Sequence, residues 1–429
     1  MALGLRLLAK FDPGVKEPET FMKNLAEWVE RRCSDLLPQI KYAKVNDAPA
    51  IFCRLHPAAE PVEFTLRDAN HLLVSASTSS VGPGYHLFLG SMLKDFGCDF
   101  QAAWQRPEDE SGEYGDETGF FFSGDEQRVF GSMTTWLQQV AKMFFDGTLD
   151  AQDTAVALSL SPAEYFESEQ LAVTPLGPRS REWMRRTAED GAKGRDFFAW
   201  WRPGLDAEFY LGRALSLMWK SVRWRPPVNT AEEAVLKTVA NSLAEAYKRD
   251  PTLSYPWAEW QEILELAGGD SPGRDIALAH TGGPPTIGYR RKNVTVMLTG
   301  RWRIRIPGSF SDFEFDPDNH LYSLDPPREI WFTSFARPTP ESADAFELTV
   351  NQLRQKESSY FVEGKQYAAT ATITKKSREN GDDYFMMNTL NVCPYSQAVL
   401  TIIYPQATDE NWAVETWKSL RPPPMSQQA

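Results

Sequence analysis

Leu3, Leu5 and Leu7 alternate with Gly4 and Arg6, a period of two that predicts a strand with one buried face. Phe21, Leu25, Trp28 and Val29 then recur at helical spacing, and they predict a helix over 19–37. Short apolar runs at 48–55, 62–66 and 72–78, separated by turn residues, predict three more strands. Helices are expected over 85–97, with Gly97 closing the first, and over 125–145, where Phe130, Met133, Trp136, Leu137, Val140 and Phe144 share one side. These elements predict an N-terminal α+β domain over 1–150.

From 151 to 270 the pattern is mainly helical and rich in Trp and Arg. Thr230 and Glu233 form a capping-box pair that opens a helix to Tyr247, with Ala234, Val235, Val239, Leu243 and Ala246 on its apolar side. The Gly/Pro-rich run 268–288 marks a boundary, so 271–292 is expected to be a linker. Beyond it, strands are expected at 294–298, 302–306, 330–335, 367–374, 384–390 and 398–404, and helices at 341–354 and 409–420. The last three strands follow one another as an antiparallel meander does. The reading is a multi-domain α+β protein: an N-terminal α+β domain, a helical middle, and an antiparallel sheet with packed helices over 293–421, before a tail at 422–429.

In that last segment RWRIRIP near the start, a helix, a meander ending in VLTIIYP and the closing helix ENWAVETWKSLRP resemble the Mog1/PsbP-like α/β/α sandwich. The resemblance implies a binding or accessory module and carries no catalytic residue onto this chain.

Composition narrows the partners. With 45 Lys and Arg against 58 Asp and Glu the net charge is −13, which repels a phosphate backbone and sets general nucleic-acid binding aside. No run approaches the roughly 20 apolar residues of a membrane span, and the opening leucines are interrupted by Arg6 and followed by Lys10, Asp12 and Pro13, unlike a signal peptide. A cytoplasmic protein is expected, with no membrane partner. Cys33, Cys53, Cys98 and Cys393 lie far apart without CxxC spacing, so they are read as reduced, buried thiols, and neither a metal nor a cofactor is expected.

The best candidate for chemistry is STSSVGPGYH, where Ser79, Gly82, Gly84, Tyr85 and His86 stand between a strand and a helix N-terminus, a place that presents free amides to an anion. The loop lacks GxGxxG, GxxxxGK[ST] and any lysine, and the competing reading is a tight turn with Tyr85 and His86 packed inside. The acidic stretch 107–119 is expected to be a solvated loop, since its order does not fit an EF-hand. Asp316, Asp318 and His320 are spaced as ligands are, yet beside Pro317 they read as side chains bonding their own backbone. No GxSxG elbow is read between a strand and a helix, no SxxK is followed by a KTG-type partner, and the kinase motifs are absent.

Trp200, Trp201, Arg202, Trp219, Arg223, Trp224 and Arg225 have the composition of an interaction hot spot, and equally that of a Trp-rich core. Arg301, Arg303 and Arg305 alternate with Trp302, Ile304 and Ile306, which places the arginines on one exposed strand face, either a plain polar face or a patch for an acidic partner. The functional expectation is a non-catalytic protein-binding module, such as an immunity protein that neutralises a toxin or an accessory subunit of a larger assembly, with a protein partner that is basic. The alternative is an enzyme or sensor that holds a phosphate-bearing ligand at the Gly-Pro-Gly-Tyr-His loop.

Overall fold

The computed structural model describes residues 2–106, 114–145, 156–157, 172–268, 271–337, 339–378 and 381–423, which fall into two compact units. Among these residues the first unit takes in those up to 157, 172–222 and 235–287; the second takes in 223–234 and 288–423.

The first unit opens with β1 (Gly4–Phe11), α1 (Pro18–Arg32), β2 (Gln39–Val45), β3 (Ala48–Arg54), β4 (Val62–Asp68), β5 (His71–Ser77), α2 (Pro83–Asp99) and β6 (Ala102–Trp104). The strands form an antiparallel sheet in the order β2-β3-β4-β5-β1-β6, and the short β7 (Gly115–Asp116) also pairs with β1. One face carries Leu5, Leu7, Ile51, Phe64 and Val74 and is covered by Met22, Leu25 and Val29 of α1 and by Tyr85, Leu89, Leu93 and Phe96 of α2.

Two boundaries differ from the pattern. α1 stops at Arg32, and Leu37, expected at the end of that helix, is exposed with φ +54°. α2 continues past Gly97, where a Cβ would meet the Trp104 indole nitrogen at 2.8 Å, so this glycine permits a close approach rather than a stop. Cys33, Cys53 and Cys393 are buried as expected, whereas Cys98, in the last turn of α2, is exposed.

After α3 (Phe120–Ser123) and α4 (Glu126–Phe145), the chain forms β8 (Val156–Ala157), β9 (Ala172–Thr174), β10 (Gly177–Arg179), α5 (Arg181–Glu189), α6 (Ala207–Lys220), α7 (Thr230–Arg249), α8 (Trp257–Ala267) and α9 (Arg274–Leu278). Val129, Met133 and Leu137 of α4 pack with Trp183, Met184 and Phe197. Trp200 and Phe209 enter the core under the N-terminal sheet. The helical middle therefore shares a core with the N-terminal segment instead of standing as a separate body. The expected linker is divided at Ile287, and it contains α9 and a turn over Tyr289–Arg291 in which Tyr289 is buried. The α7 cap lies one residue earlier than expected: the Asn229 side chain accepts from the Glu232 amide at 2.9 Å, and Glu232 reaches back to the Val228 amide at 3.0 Å.

The second unit holds the hairpin β11 (Asn293–Met297) and β12 (Arg303–Pro307), then β13 (Glu314–Phe315), β14 (Leu321–Asp325), β15 (Arg328–Ala336), α10 (Ala343–Gln355), β16 (Tyr360–Gly364), β17 (Tyr367–Ser377), β18 (Asp383–Cys393), β19 (Ser396–Tyr404) and α11 (Glu410–Lys418). The large sheet runs β13-β14-β15-β19-β18-β17-β16, antiparallel throughout, with the expected meander β17-β18-β19 inside it. The fold is α+β in both units. No helix among the described residues is long and apolar enough to cross a membrane.

The core of the second unit is organised by Asn391, which is fully buried on β18. Its carbonyl oxygen accepts from the Trp417 indole and the Tyr367 hydroxyl, both at 2.9 Å, while its amide donates to Thr389 Oγ1 and to the Ala398 carbonyl. Three elements thus depend on one side chain. Asn391→Leu leaves two buried donors without an acceptor and is expected to lower the unfolding free energy by about 3 kcal/mol in a urea titration. A smaller loss on the Trp417→Phe background would reveal the coupling.

Candidate functional site

The loop after β5 is pinned to β1, because the Thr78 and Ser79 amides donate to the Leu3 carbonyl at 2.8 and 3.1 Å. Gly82 takes φ +124°, and a Cβ there would lie 2.6 Å from the Trp200 carbonyl oxygen; at Gly84 it would lie 2.4 Å from that of Arg202. The Gly84 amide donates to the Trp200 carbonyl and the Trp200 amide to the Val81 carbonyl, each at 3.0 Å. The backbone that an anion would need at the start of α2 is engaged by the chain itself. Ser79, Tyr85 and His86 are buried, so the expected phosphate cradle at Ser79, Gly82, Gly84, Tyr85 and His86 is corrected: its glycines make room for residues 200–202.

His86 instead anchors a buried polar network. Its Nδ1 lies 2.9 Å from Thr78 Oγ1, and its Nε2 lies 3.0 Å from Thr118 Oγ1 and 3.1 Å from Asp116 Oδ1. Asp116, whose side chain is wholly buried, also accepts from the Thr118 amide and hydroxyl at 2.8 Å and from the Phe121 amide at 2.7 Å. This corrects the reading of the acidic stretch as solvated throughout; its part at 107–113 lies outside the described residues. Burial pushes the Asp116 carboxyl up, but the His86 hydrogen bond and charge, with Phe121 and Thr118, outweigh it and hold the group below its ordinary 3.8.

Tyr85 faces the opposite way, into aromatic core: its ring is 5.8 Å from Trp200 and 6.5 Å from His56. His56 is driven down to about 3 by burial first and by the Arg213 charge second. It is therefore neutral across the physiological range.

The expected partner-binding residues divide between the units. In the first, Trp200 is 1% exposed and donates its indole N–H to the Gly204 carbonyl at 3.0 Å, which makes it core and not an anchor. Trp201 is half-buried with the Arg195 guanidinium 5.1 Å above it, Arg202 is exposed, and Trp219 is half-buried against Gly177. In the second, Arg223 is buried and donates to Asp312 at 2.5 Å. Trp224 lies under the Arg291 guanidinium at 3.6 Å. Arg225 binds Glu232 with two nitrogens at 2.6 and 3.0 Å and reaches Asp325 at 3.3 Å. These arginines hold the chain together internally. Arg301, Arg303 and Arg305 are exposed, with Trp302, Ile304 and Ile306 buried, as the alternation predicts.

The Asp316, Asp318 and His320 donor atoms lie within 4.8 Å of one another. Asp316 engages its own loop, accepting from the His320 amide at 2.7 Å and standing 3.2 Å from the His320 ring.

Two openings in the second unit were not read from the sequence. A groove of about 490 Å³ lies on the sheet over Trp331, Phe335, Val399 and Ile403. A larger cleft, about 850 Å³, runs between α10 and the turns after β16 and β18. Phe346, Val350 and Tyr395 are its buried lining, and Arg337, Glu341, Glu347, Arg354, Glu363 and Lys365 stand along it. Arg354 pairs with Glu363 at 2.6 Å and Arg337 with Glu341, yet Arg337 Nε and Glu341 Oε2 are buried without a partner. The signal was present in the helical spacing of Phe346, Glu347, Val350 and Arg354, but the opposing turns come from 363–366 and 394–395.

Asp116 and His56 give pH signatures. Asp116 has a depressed native pKa, so its contribution is complete above the unfolded value of 3.8 and lost as pH falls through the native value. Asp116→Ala is expected to cost about 3 kcal/mol near neutrality, with the deficit narrowing below pH 4 on the ordinary carboxylate scale. For His56 the unfolded chain takes up a proton below 6.5 that the native chain refuses until about 3. Stability should therefore fall on acidification across that window by about 1.4 kcal/mol per pH unit. His56→Asn, which keeps the acceptor for the Ala58 amide, should flatten that slope in chemical denaturation.

Comparison with known proteins finds no protein-family model and no curated protein that matches this chain. A solved structure from Bacteroides thetaiotaomicron VPI-5482 is similar to 32% of this chain at 12% identity, with a TM-score of 0.26. The matched part of this chain spans about half of that protein, 51% of its length.

Proposed function

We propose that the chain is a non-catalytic protein-binding module whose recognition site is the α10 cleft of the second unit. The observation that carries this reading is the cleft's composition: a buried apolar lining beneath charges of both signs, with Glu347 and Lys365 exposed along it. From Ala343 to Arg354 the helix wall is about 16 Å long, which matches about five residues of extended chain. An extended polypeptide segment with charges of both signs, around one or two apolar side chains, fits such a surface. The net charge of −13 favours encounter with a basic partner at long range, and occlusion is the mode of action, as in an immunity protein that blocks a toxin or an accessory subunit of an assembly.

The test places a photo-crosslinking residue at position 347 and, as a control, at 399 on the open sheet face, in chain expressed in its native cells. One polypeptide crosslinked from 347, weakly or not at all from 399, and lost on Lys365→Glu, is the expected result. Crosslinking that ignores the Lys365 reversal, or a small molecule retained in native mass spectrometry in place of a polypeptide, would overturn the reading.

A further inference from the structure

Arg337 and Glu341 line the α10 cleft beside Pro394 and Tyr395, whose carbonyls accept the Glu341 amide at 2.8 Å and the Arg337 amide at 2.9 Å. Their side chains are 24% and 19% exposed, whereas Glu347 and Lys365 on the same cleft are open to solvent. The pair is joined through Arg337 Nη1 and Glu341 Oε1, and one atom of each group is left over. These are Nε, a donor, and Oε2, an acceptor, both buried without a partner. Because the two planar groups already touch, bond lengths within them keep Nε and Oε2 within reach of one small polar group.

The nearest polar groups of the chain are engaged elsewhere. The Tyr395 hydroxyl donates to the Pro423 carbonyl at 2.5 Å, and the Cys393 thiol to the Ser396 carbonyl at 3.3 Å. A buried donor and a buried acceptor each cost free energy while unbonded. The charge of the pair is already balanced, so an added carboxylate would face Glu341 and an added ammonium would face Arg337. The group that fits is neutral and carries an acceptor beside a donor, which is the edge of a carboxamide. A water bonded to both atoms is replaced without loss by a group that makes the same two bonds.

We propose that the α10 cleft reads an Asn or Gln side chain of the polypeptide it binds, the carboxamide oxygen accepting from Arg337 Nε and the carboxamide N–H donating to Glu341 Oε2. This rests on the reading of the cleft as a polypeptide site. Both atoms are buried, so they are reached by a side chain that projects from the bound segment and not by its main chain. Asp or Glu of the same shape would bring a like charge to Glu341, and Leu would leave both atoms unbonded.

The probe is a library of random linear peptides selected on the immobilised full chain, the selected peptides then being crosslinked from a photo-reactive residue at position 347. Those that crosslink should share one Asn or Gln at a fixed place, and its exchange for Glu or Leu should weaken binding about tenfold, the loss of one hydrogen bond to a charged group. Selection on Glu341→Gln should return Asp or Glu at that place, because the substituted amide offers a second donor beside Arg337 and no longer balances its charge. Crosslinked peptides without a shared carboxamide, a carboxamide whose exchange for Leu leaves binding unchanged, or the same peptides from both chains would overturn this inference and leave the polypeptide reading standing. A library from which no peptide crosslinks at 347 would overturn the polypeptide reading and this inference with it.

Discussion

Trp200 is gripped at both backbone positions, its amide by the Val81 carbonyl and its carbonyl by the Gly84 amide, and this double hold sets much of the first unit. It lays 198–202 across the start of α2, which is why residues 82 and 84 have no room for a side chain. It also drives the indole into the core with Phe209, 4.5 Å away, and His56. With that segment in place, Tyr85 and His86 have no route to solvent and must find partners inside. The middle of the chain joins the N-terminal core through these contacts, and the loop that most resembled a ligand cradle becomes a packing joint.

Buried charge is handled in two ways. His86 and Asp116 bond each other, with the Thr78 and Thr118 hydroxyls and the Thr118 and Phe121 amides bonded to the pair, and Arg225 is compensated by Glu232 and Asp325 together. Such networks stabilise through complete satisfaction, since removal of one member leaves the other desolvated and alone. Arg223 is met less completely: it reaches Asp312, while its Nε and Nη1 are buried without a partner.

The sequence was legible where one face of an element is buried and the other solvated. β1, α4, β19 and the Arg301–Arg305 alternation follow from period, while β3, β4 and β5 follow from short apolar runs between turn residues. β2 was missed because as an edge strand it has no fully buried residue, only Ile40 packing partly on the core, and the alternation in QIKYAKV slips at Ala43. Gly97 misled because a glycine allows a close approach as readily as a helix end, and only Trp104 distinguishes the two. For Trp200, Asp116 and the α10 cleft the deciding partner lies far along the chain, where no local pattern reports it. Composition identified tryptophan and arginine as important without telling an anchor from a strut.

The second unit offers two surfaces, and physical chemistry separates them. Over β15 and β19, Phe335 and Val399 are 50% and 39% exposed along a groove with little charge beyond His320. Apolar area of that kind adds adhesion but little register, because burial is non-directional. The cleft beside α10 combines apolar lining with charges of both signs, and a mismatched partner there would place like charges together or leave one desolvated. Its Arg337–Glu341 pair is also fixed from behind, the Arg337 amide bonding the Tyr395 carbonyl and the Glu341 amide that of Pro394. Charges held by backbone contacts on both flanks lose little freedom on binding. The cleft, rather than the flatter sheet face, therefore has the chemistry to select one partner from many.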